Sequence, residues 1–383
     1  MGGLKNLRVL NLAVSRVDVD AALEHLTRLR GLHTLHLEYL TVTDAHLEKL
    51  AVLTELRVLS FGKTRVTEAG LKSLAGLKHI RSMHFYGLPV TGGGLRHLAG
   101  FTELEELHIM EASTDEDLKH LAGLRKLRFL NLGWSGVTEA GLDHLAVLPE
   151  LRELWLHGVK LKPTAMKYLA NLPHLESLRL SQNGLLDEGF EHVADLKRLR
   201  VLHVWSAEVT DAGLKHLAGL AGLRELHLTV TGCREVTDAG LKELARLREL
   251  KKLTIGGNGR LTDAGLAHLA GMTQLRELRV GFRVTDTGLT SLANLRQLER
   301  LDLSLTSVEG PGLIHLADLK NLDRLDLRQG GLSPDAGPHL ARLNQLRELW
   351  IVNTEFDSKA AEESWSALYR AVPECSIPGR QRR

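Results

Sequence analysis

Nineteen histidines and five tryptophans are the side chains of this 383-residue sequence with chemistry to offer, and their spacing decides which chemistry. Nine of the imidazoles, at His25, His97, His120, His144, His192, His216, His268, His315 and His339, stand in one recurring slot just before a leucine or, at His192, a valine. A residue type repeated in register is a preference of a repeat, so metal ligation is not expected there. Two other pairs, His84 with His108 and His203 with His227, fall at equivalent places one repeat apart. A zinc site needs three or four ligands in tetrahedral array. Spacing sets no carboxylate or third imidazole clearly beside either pair, and no metal or other cofactor is expected. The patterns G-x-S-x-G, H-E-x-x-H and C-x-x-C are missing. Gly256-Gly257-Asn258-Gly259-Arg260 runs into Leu261-Thr262 without the lysine of a phosphate-binding loop, so it reads as a turn. No catalytic residue is expected, and the chain reads as a non-enzyme.

The elements that position these side chains come from one recurring phrase, L-x-x-L-x-L, a polar stretch, then V-T-D-A-G-L-x-x-L-A-x-L. It occurs about fifteen times, with first leucine-type positions at Leu7, Leu32, Leu56, Ile80, Leu104, Leu127, Leu151, Leu175, Leu199, Leu223, Leu250, Leu275, Leu298, Leu322 and Leu346. Leu226 and Leu228 alternate as in a strand, whereas Leu241, Leu244 and Leu247 recur every three, as in a short helix. A period in the 20s with this leucine spacing marks an α/β leucine-rich-repeat solenoid. A parallel sheet is expected on the concave face of a horseshoe and short helices on the convex face. Thr210 and Asp211 are both expected to cap the first turn of their own helix. The recurring glycines at Gly70, Gly141, Gly213, Gly240, Gly265, Gly288 and Gly312 are expected to give clearance near the repeat core. Residues 1–357 form the expected solenoid. Residues 358–383, with Trp365, Leu368 and Pro373, are expected to cap it within the same domain, whereas Leu7, Leu10 and Leu12 start without a covering element, which suggests a trimmed start or self-association through that edge.

Several units, Val209 to Leu217 (V-T-D-A-G-L-K-H-L), Val236 to Leu244 (V-T-D-A-G-L-K-E-L) and Leu261 to Leu269 (L-T-D-A-G-L-A-H-L), resemble the bacterial leucine-rich-repeat proteins abundant in planctomycetes. The tail from Leu368 to Ile377 resembles the helix-Pro-x-Cys-x-Ile ending of that group. Those repeats are similar in turn to the cysteine-containing subclass of F-box substrate receptors, whose repeat cysteines and F-box segment are missing here. The resemblance implies the solenoid fold and protein recognition, and names no partner.

Because strand side chains alternate, the residues between core leucines are expected to face solvent. The chain is only 4% aromatic, yet Trp134, Trp155, Trp205 and Trp350 all fall on this face. The expected partner-binding residues are His84, Tyr86, His108, Trp134, Trp155, His157, His203, Trp205, His227 and Trp350. Farther along, Arg279, Arg300, Asp302, Arg324, Asp326 and Arg328 mix both signs and are expected to pair across strands. Imidazole protonation near pH 6.5 is expected to make binding pH dependent between about pH 5.5 and 8. A net charge of +2 argues against nucleic acid or an anionic membrane as partner. Cys233 and Cys375 have neither metal nor disulfide-framework spacing, and no leader or spanning segment is visible, so a reducing, cytoplasmic location is expected. The favoured reading is a scaffold that binds a protein on its aromatic middle. The alternatives are a small-ligand or glycan receptor using the same platform, and a self-assembling repeat protein.

Overall fold

Leucines alternating with mostly polar or aromatic residues build strands of three to five residues, whose inward leucine or methionine is buried in every strand after the first. In the computed structural model, residues 6–88, 93–111, 113–181, 186–205, 209–229, 235–256, 259–333, 336–351, 366, 368 and 370 are described. The chain divides into two compact units, Met1–Gly184 and Leu185–Arg383. Among the described residues, the first unit holds β1 (Val9–Asn11), β2 (Thr34–His36), β3 (Val58–Ser60), β4 (Ser82–His84), β5 (Glu106–His108), β6 (Phe129–Asn131), β7 (Glu153–Trp155) and β8 (Ser177–Ser181). Each pairs in parallel with the next, and Leu10, Leu35, Leu59, Met83, Leu107, Leu130, Leu154 and Leu178 fall in register. The second unit holds β9 (Val201–Trp205), β10 (Glu225–Thr229), β11 (Lys252–Gly256), β12 (Glu277–Gly281), β13 (Arg300–Asp302), β14 (Arg324–Asp326) and β15 (Glu348–Trp350). They too are all parallel, with Leu202, Leu226, Leu253, Leu278, Leu301, Leu325 and Leu349 in register. Strand leucines and helix leucines such as Leu214, Leu241 and Leu266 share one apolar layer within the unit. Burying each stabilises the fold by about 1.5–3 kcal/mol.

The helices begin at V-T-D-A-G, but its Thr and Asp divide their labour differently from the expectation. In helix Asp211–Leu217 the Thr210 hydroxyl accepts from Ala212 N–H at 3.1 Å, as a cap should. Asp211 instead reaches the next repeat, where its carboxylate accepts from Thr237 N–H at 2.8 Å and Thr237 Oγ1 at 2.6 Å. Asp187 does the same to Thr210, Asp238 to Thr262 and Asp263 to Thr285, and in the first unit Asp44 does so to Thr67 and Asp115 to Thr138. The glycines follow from this. A Cβ on Gly70 would lie 2.5 Å from Asp44 Oδ1, and Gly213, Gly240, Gly265 and Gly288 face the preceding repeat's carboxylate in the same way. The space they leave is therefore for a neighbouring aspartate as well as for the repeat's own core, since a Cβ on Gly70 or Gly213 would also lie within 3 Å of the buried Val66 or Val209. After Val90-Thr91-Gly92-Gly93 the outer element is a 3-10 helix at Gly94–Gly100.

Of the expected C-terminal cap, Ser366, Leu368 and Arg370 are helical and Leu368 is fully buried. Trp365, Pro373, Cys233 and Cys375 lie outside the described residues. No described helix is long and apolar enough to cross a membrane.

Candidate functional site

Parallel pairing without offset lines up the central strand positions of the first unit as His84, His108, Asn131, Trp155 and Arg179. The positions two residues earlier line up as Ser82, Glu106, Phe129, Glu153 and Ser177 on the same face. Rings then touch in sequence. His84 and His108 have centroids 4.1 Å apart, His108 and Phe129 4.6 Å, and Phe129 stands edge-on to Trp155 at 4.9 Å. The Arg179 guanidinium lies 4.2 Å from the Trp155 ring centre, in the geometry of a cation–π contact. His157 joins the group, 6.2 Å from both Trp155 and Trp134.

Trp134 differs from the rest. It sits on the turn after β6 with φ of 59°, and its side chain is half exposed. One face of its indole covers Gly158, where any Cβ would collide with the ring. Tyr86 likewise lies over Gly62 and stands edge-on to Tyr39 at 6.4 Å. Burial, then the hydrogen bond with Tyr39, pushes the Tyr86 hydroxyl up to about 12.

Glutamates anchor the central rings, and spacing alone did not single them out. Glu106 Oε1 faces His108 Nε2 at 2.9 Å, Glu153 Oε1 accepts from Trp155 Nε1 at 2.7 Å, and Glu348 Oε2 accepts from Trp350 Nε1 at 3.4 Å. The signal was present as E-L-H and E-L-W at Glu106, Glu153, Glu225 and Glu348, since residues two apart on a strand share a face. Phe129 was missed for the same reason.

In the second unit, Trp205 packs edge-on to His203 at 5.4 Å and to His227 at 5.5 Å. His203 corrects the expectation of solvent exposure. It is only 8% exposed, with its Nε2 2.6 Å from Glu225 Oε1. Asn131 and Asp326 are buried as well, because larger neighbours on the same face lie over small or short side chains. The charged positions pair: Arg279 with Asp302 at 3.0 Å, Arg300 with Glu277 at 3.0 Å, Arg324 with Glu348 at 2.7 Å, and Arg328 with Asp326 at 2.6 Å. All of these but Glu348 line a depression of about 400 Å³ together with Trp350, whose ring centre lies 4.8 Å from the Arg328 guanidinium.

Burial, reinforced by the nearby His108, holds the His84 imidazole down to about 4. Burial, with Arg179, also lowers His157. His84 is thus neutral throughout the window from pH 5.5 to 8, and the expected pH response there does not come from it. The consequence is a stability effect at lower pH. Between about 6.5 and 4 the unfolded chain takes up a proton at this imidazole that the folded chain refuses, so stability is full above 6.5 and falls toward 4. In metal-free buffer, the urea midpoint is expected to drop over this range in the wild type and to drop less in His84→Gln. Parallel pH profiles for the two proteins would contradict the assignment.

Comparison with known proteins agrees with this architecture. A leucine-rich-repeat region model matches residues 167–337. An internalin from Listeria monocytogenes is similar in structure at 22% identity and a TM-score of 0.53, covering 91% of this chain and 88% of its own. A leucine-rich-repeat protein of Leptospira interrogans is similar at 19% identity and a TM-score of 0.59, covering 98% and 91%. No curated protein sequence matches the chain. The fold is that of a leucine-rich-repeat solenoid.

Proposed function

We propose that the chain is a non-enzymatic binding protein of bacterial, planctomycete-type repeat character, and that it takes a protein partner against the strand face of its first unit. Leucine-rich-repeat proteins generally mediate protein–protein interaction, and the aromatic row supplies the surface on which contact energy concentrates. The observation that carries the reading is Trp134. The left-handed backbone recurs at this turn position, at Lys63, Gly87, Glu111 and Gly158 among others, so what sets Trp134 apart is the large apolar ring it holds half exposed, a cost in apolar surface left in water. Recognition gives that cost a reason.

The same geometry disfavours a sugar-stacking platform. Arg179 covers one face of Trp155 and Gly158 lies under one face of Trp134, so the two indoles do not offer paired open faces. His203, Trp205 and His227 form a separate aromatic group on the second unit, and Trp350 a third. Each is proposed as partner-contacting surface of lesser weight.

The test is capture from the source cell with the wild type and with Trp155→Ala combined with Trp134→Ala, followed by reconstitution of any recovered pair from purified components. A protein that binds the wild type in calorimetry and the double variant at least tenfold more weakly supports the proposal. Equal affinity for both would reject this face as the site.

A further inference from the structure

The geometry points to a divalent transition-metal site, best suited to Zn²⁺, formed by His84 and Glu106 with His108 on β4 and β5. It goes beyond the partner-binding proposal and stands without it. One ligand atom from each residue comes within 4.8 Å of the other two, and no other group of three among the described residues does so. Glu106 Oε1 lies 2.9 Å from His108 Nε2 and 3.8 Å from His84 Nε2. Tetrahedral Zn²⁺ with bonds of about 2.0–2.2 Å sets its ligand atoms roughly 3.4 Å apart. The three donors therefore need only move by about an ångström, by side-chain rotation on a fixed pair of strands. Two imidazoles and one carboxylate suit Zn²⁺ and its neighbours in the transition series, while Ca²⁺ and Mg²⁺ prefer all-oxygen shells. Three protein ligands leave the fourth position to solvent.

The surroundings already hold the donors. Ser82 Oγ donates to Glu106 Oε2 at 2.9 Å, which fixes the carboxylate so that Oε1 faces the imidazoles. The charge of Glu38 acts on His84, and one of its carboxylate oxygens is buried without a hydrogen-bond partner. Two internal changes are required: His84 Nε2 lies 2.9 Å from Ser82 Oγ, whose own proton goes to Glu106, so His84 must shift its proton from Nε2 to Nδ1 to ligate, and Asn131 sets the second change. Its Oδ1 accepts from Gly133 N–H at 3.0 Å, so its Nδ2 faces His108 Nδ1 at 3.3 Å and the His108 proton sits on Nε2. Ligation moves that proton to Nδ1 and turns the Asn131 amide so that Oδ1 accepts it.

The second unit supplies an internal control. Glu225-Leu226-His227 repeats the Glu106-Leu107-His108 sequence beside His203. There the imidazole centroids stand 5.3 Å apart, against 4.1 Å in the first unit, and Trp205 packs edge-on against both rings.

The experiment is calorimetric titration of the chelator-treated full chain with ZnCl₂ at pH 7.5, with Co²⁺ absorption as an independent report of tetrahedral nitrogen and oxygen ligation. The wild type is expected to bind one Zn²⁺ at micromolar concentration or below, and His203→Gln with His227→Gln to bind it equally. Glu106→Gln and His84→Gln are expected to lose at least the roughly 10–100-fold that even an outer-shell partner is worth. Asn131→Asp, which offers His108 Nδ1 an acceptor whichever way it turns, is expected to tighten binding about tenfold. That gain keeps the proposal testable if a ligand variant fails to fold. No micromolar binding to the wild type, equal Zn²⁺ affinity in Glu106→Gln, or loss of the equivalent in the His203/His227 variant would each overturn it.

Discussion

Gly265→Ala is expected to destabilise the wild-type chain by about 1–3 kcal/mol, the usual range for forcing atoms into a filled space, and to do no harm once Asp238 is alanine. The added methyl falls on Asp238 Oδ1, which accepts from Thr262 N–H at 2.9 Å while Oδ2 of the same carboxylate accepts from Thr262 Oγ1 at 2.7 Å. To admit it, the carboxylate must give up hydrogen bonds to a charged acceptor, each contributing about 1.5–3 kcal/mol. Asp238→Ala alone is expected to cost a similar amount. In its absence the other close neighbour of the new methyl is Leu241 Cδ1 at 2.9 Å, the far end of a flexible side chain. Helix propensity then favours alanine over glycine at this position by up to about 1 kcal/mol. The sign of the Gly265→Ala effect therefore inverts between backgrounds, and urea unfolding of the four proteins measures it. Additive effects, with the same loss in both backgrounds, would show that the glycine answers to something other than the aspartate.

This cycle also marks where the sequence stops being readable. Leucine alternation placed every strand, because one residue's inward or outward direction follows from its neighbour's. The threonine caps were legible too, since Thr210 and Ala212 are two residues apart. The partner of Asp211 is not local. It depends on how closely one repeat lies on the next, and only the structure brings Thr237 to its carboxylate. Glu106 was legible by the same alternation that exposed His108, whereas its approach to His84 depends on the register between two strands. The burial of His203 and Asn131 was not legible, because it follows from which neighbouring side chain leans over which.

Trp134→Gly is expected to separate stability from recognition by moving them in opposite directions. The residue holds φ of 59°, a conformation that costs an L-residue roughly 1–2 kcal/mol and glycine almost nothing. The equivalent position two strands earlier and one strand later is already glycine, Gly87 at φ of 62° and Gly158 at 71°. The indole gives back only part of that cost, since half of it is exposed and its packing is one face over Gly158 and an edge toward His157. Melting of the free chain is thus expected to stay level or rise in the variant. Partner affinity is expected to fall by about 2 kcal/mol, near 30-fold, the usual cost of truncating an aromatic at the centre of a contact. Trp155→Ala offers the contrast. It removes a hydrogen bond to Glu153, the edge contact with Phe129 and the surface under Arg179, so its binding loss comes with a loss of stability. Measured side by side, a Trp134→Gly chain that melts lower while binding the reconstituted partner normally would make the indole a packing residue and remove it from the recognition face.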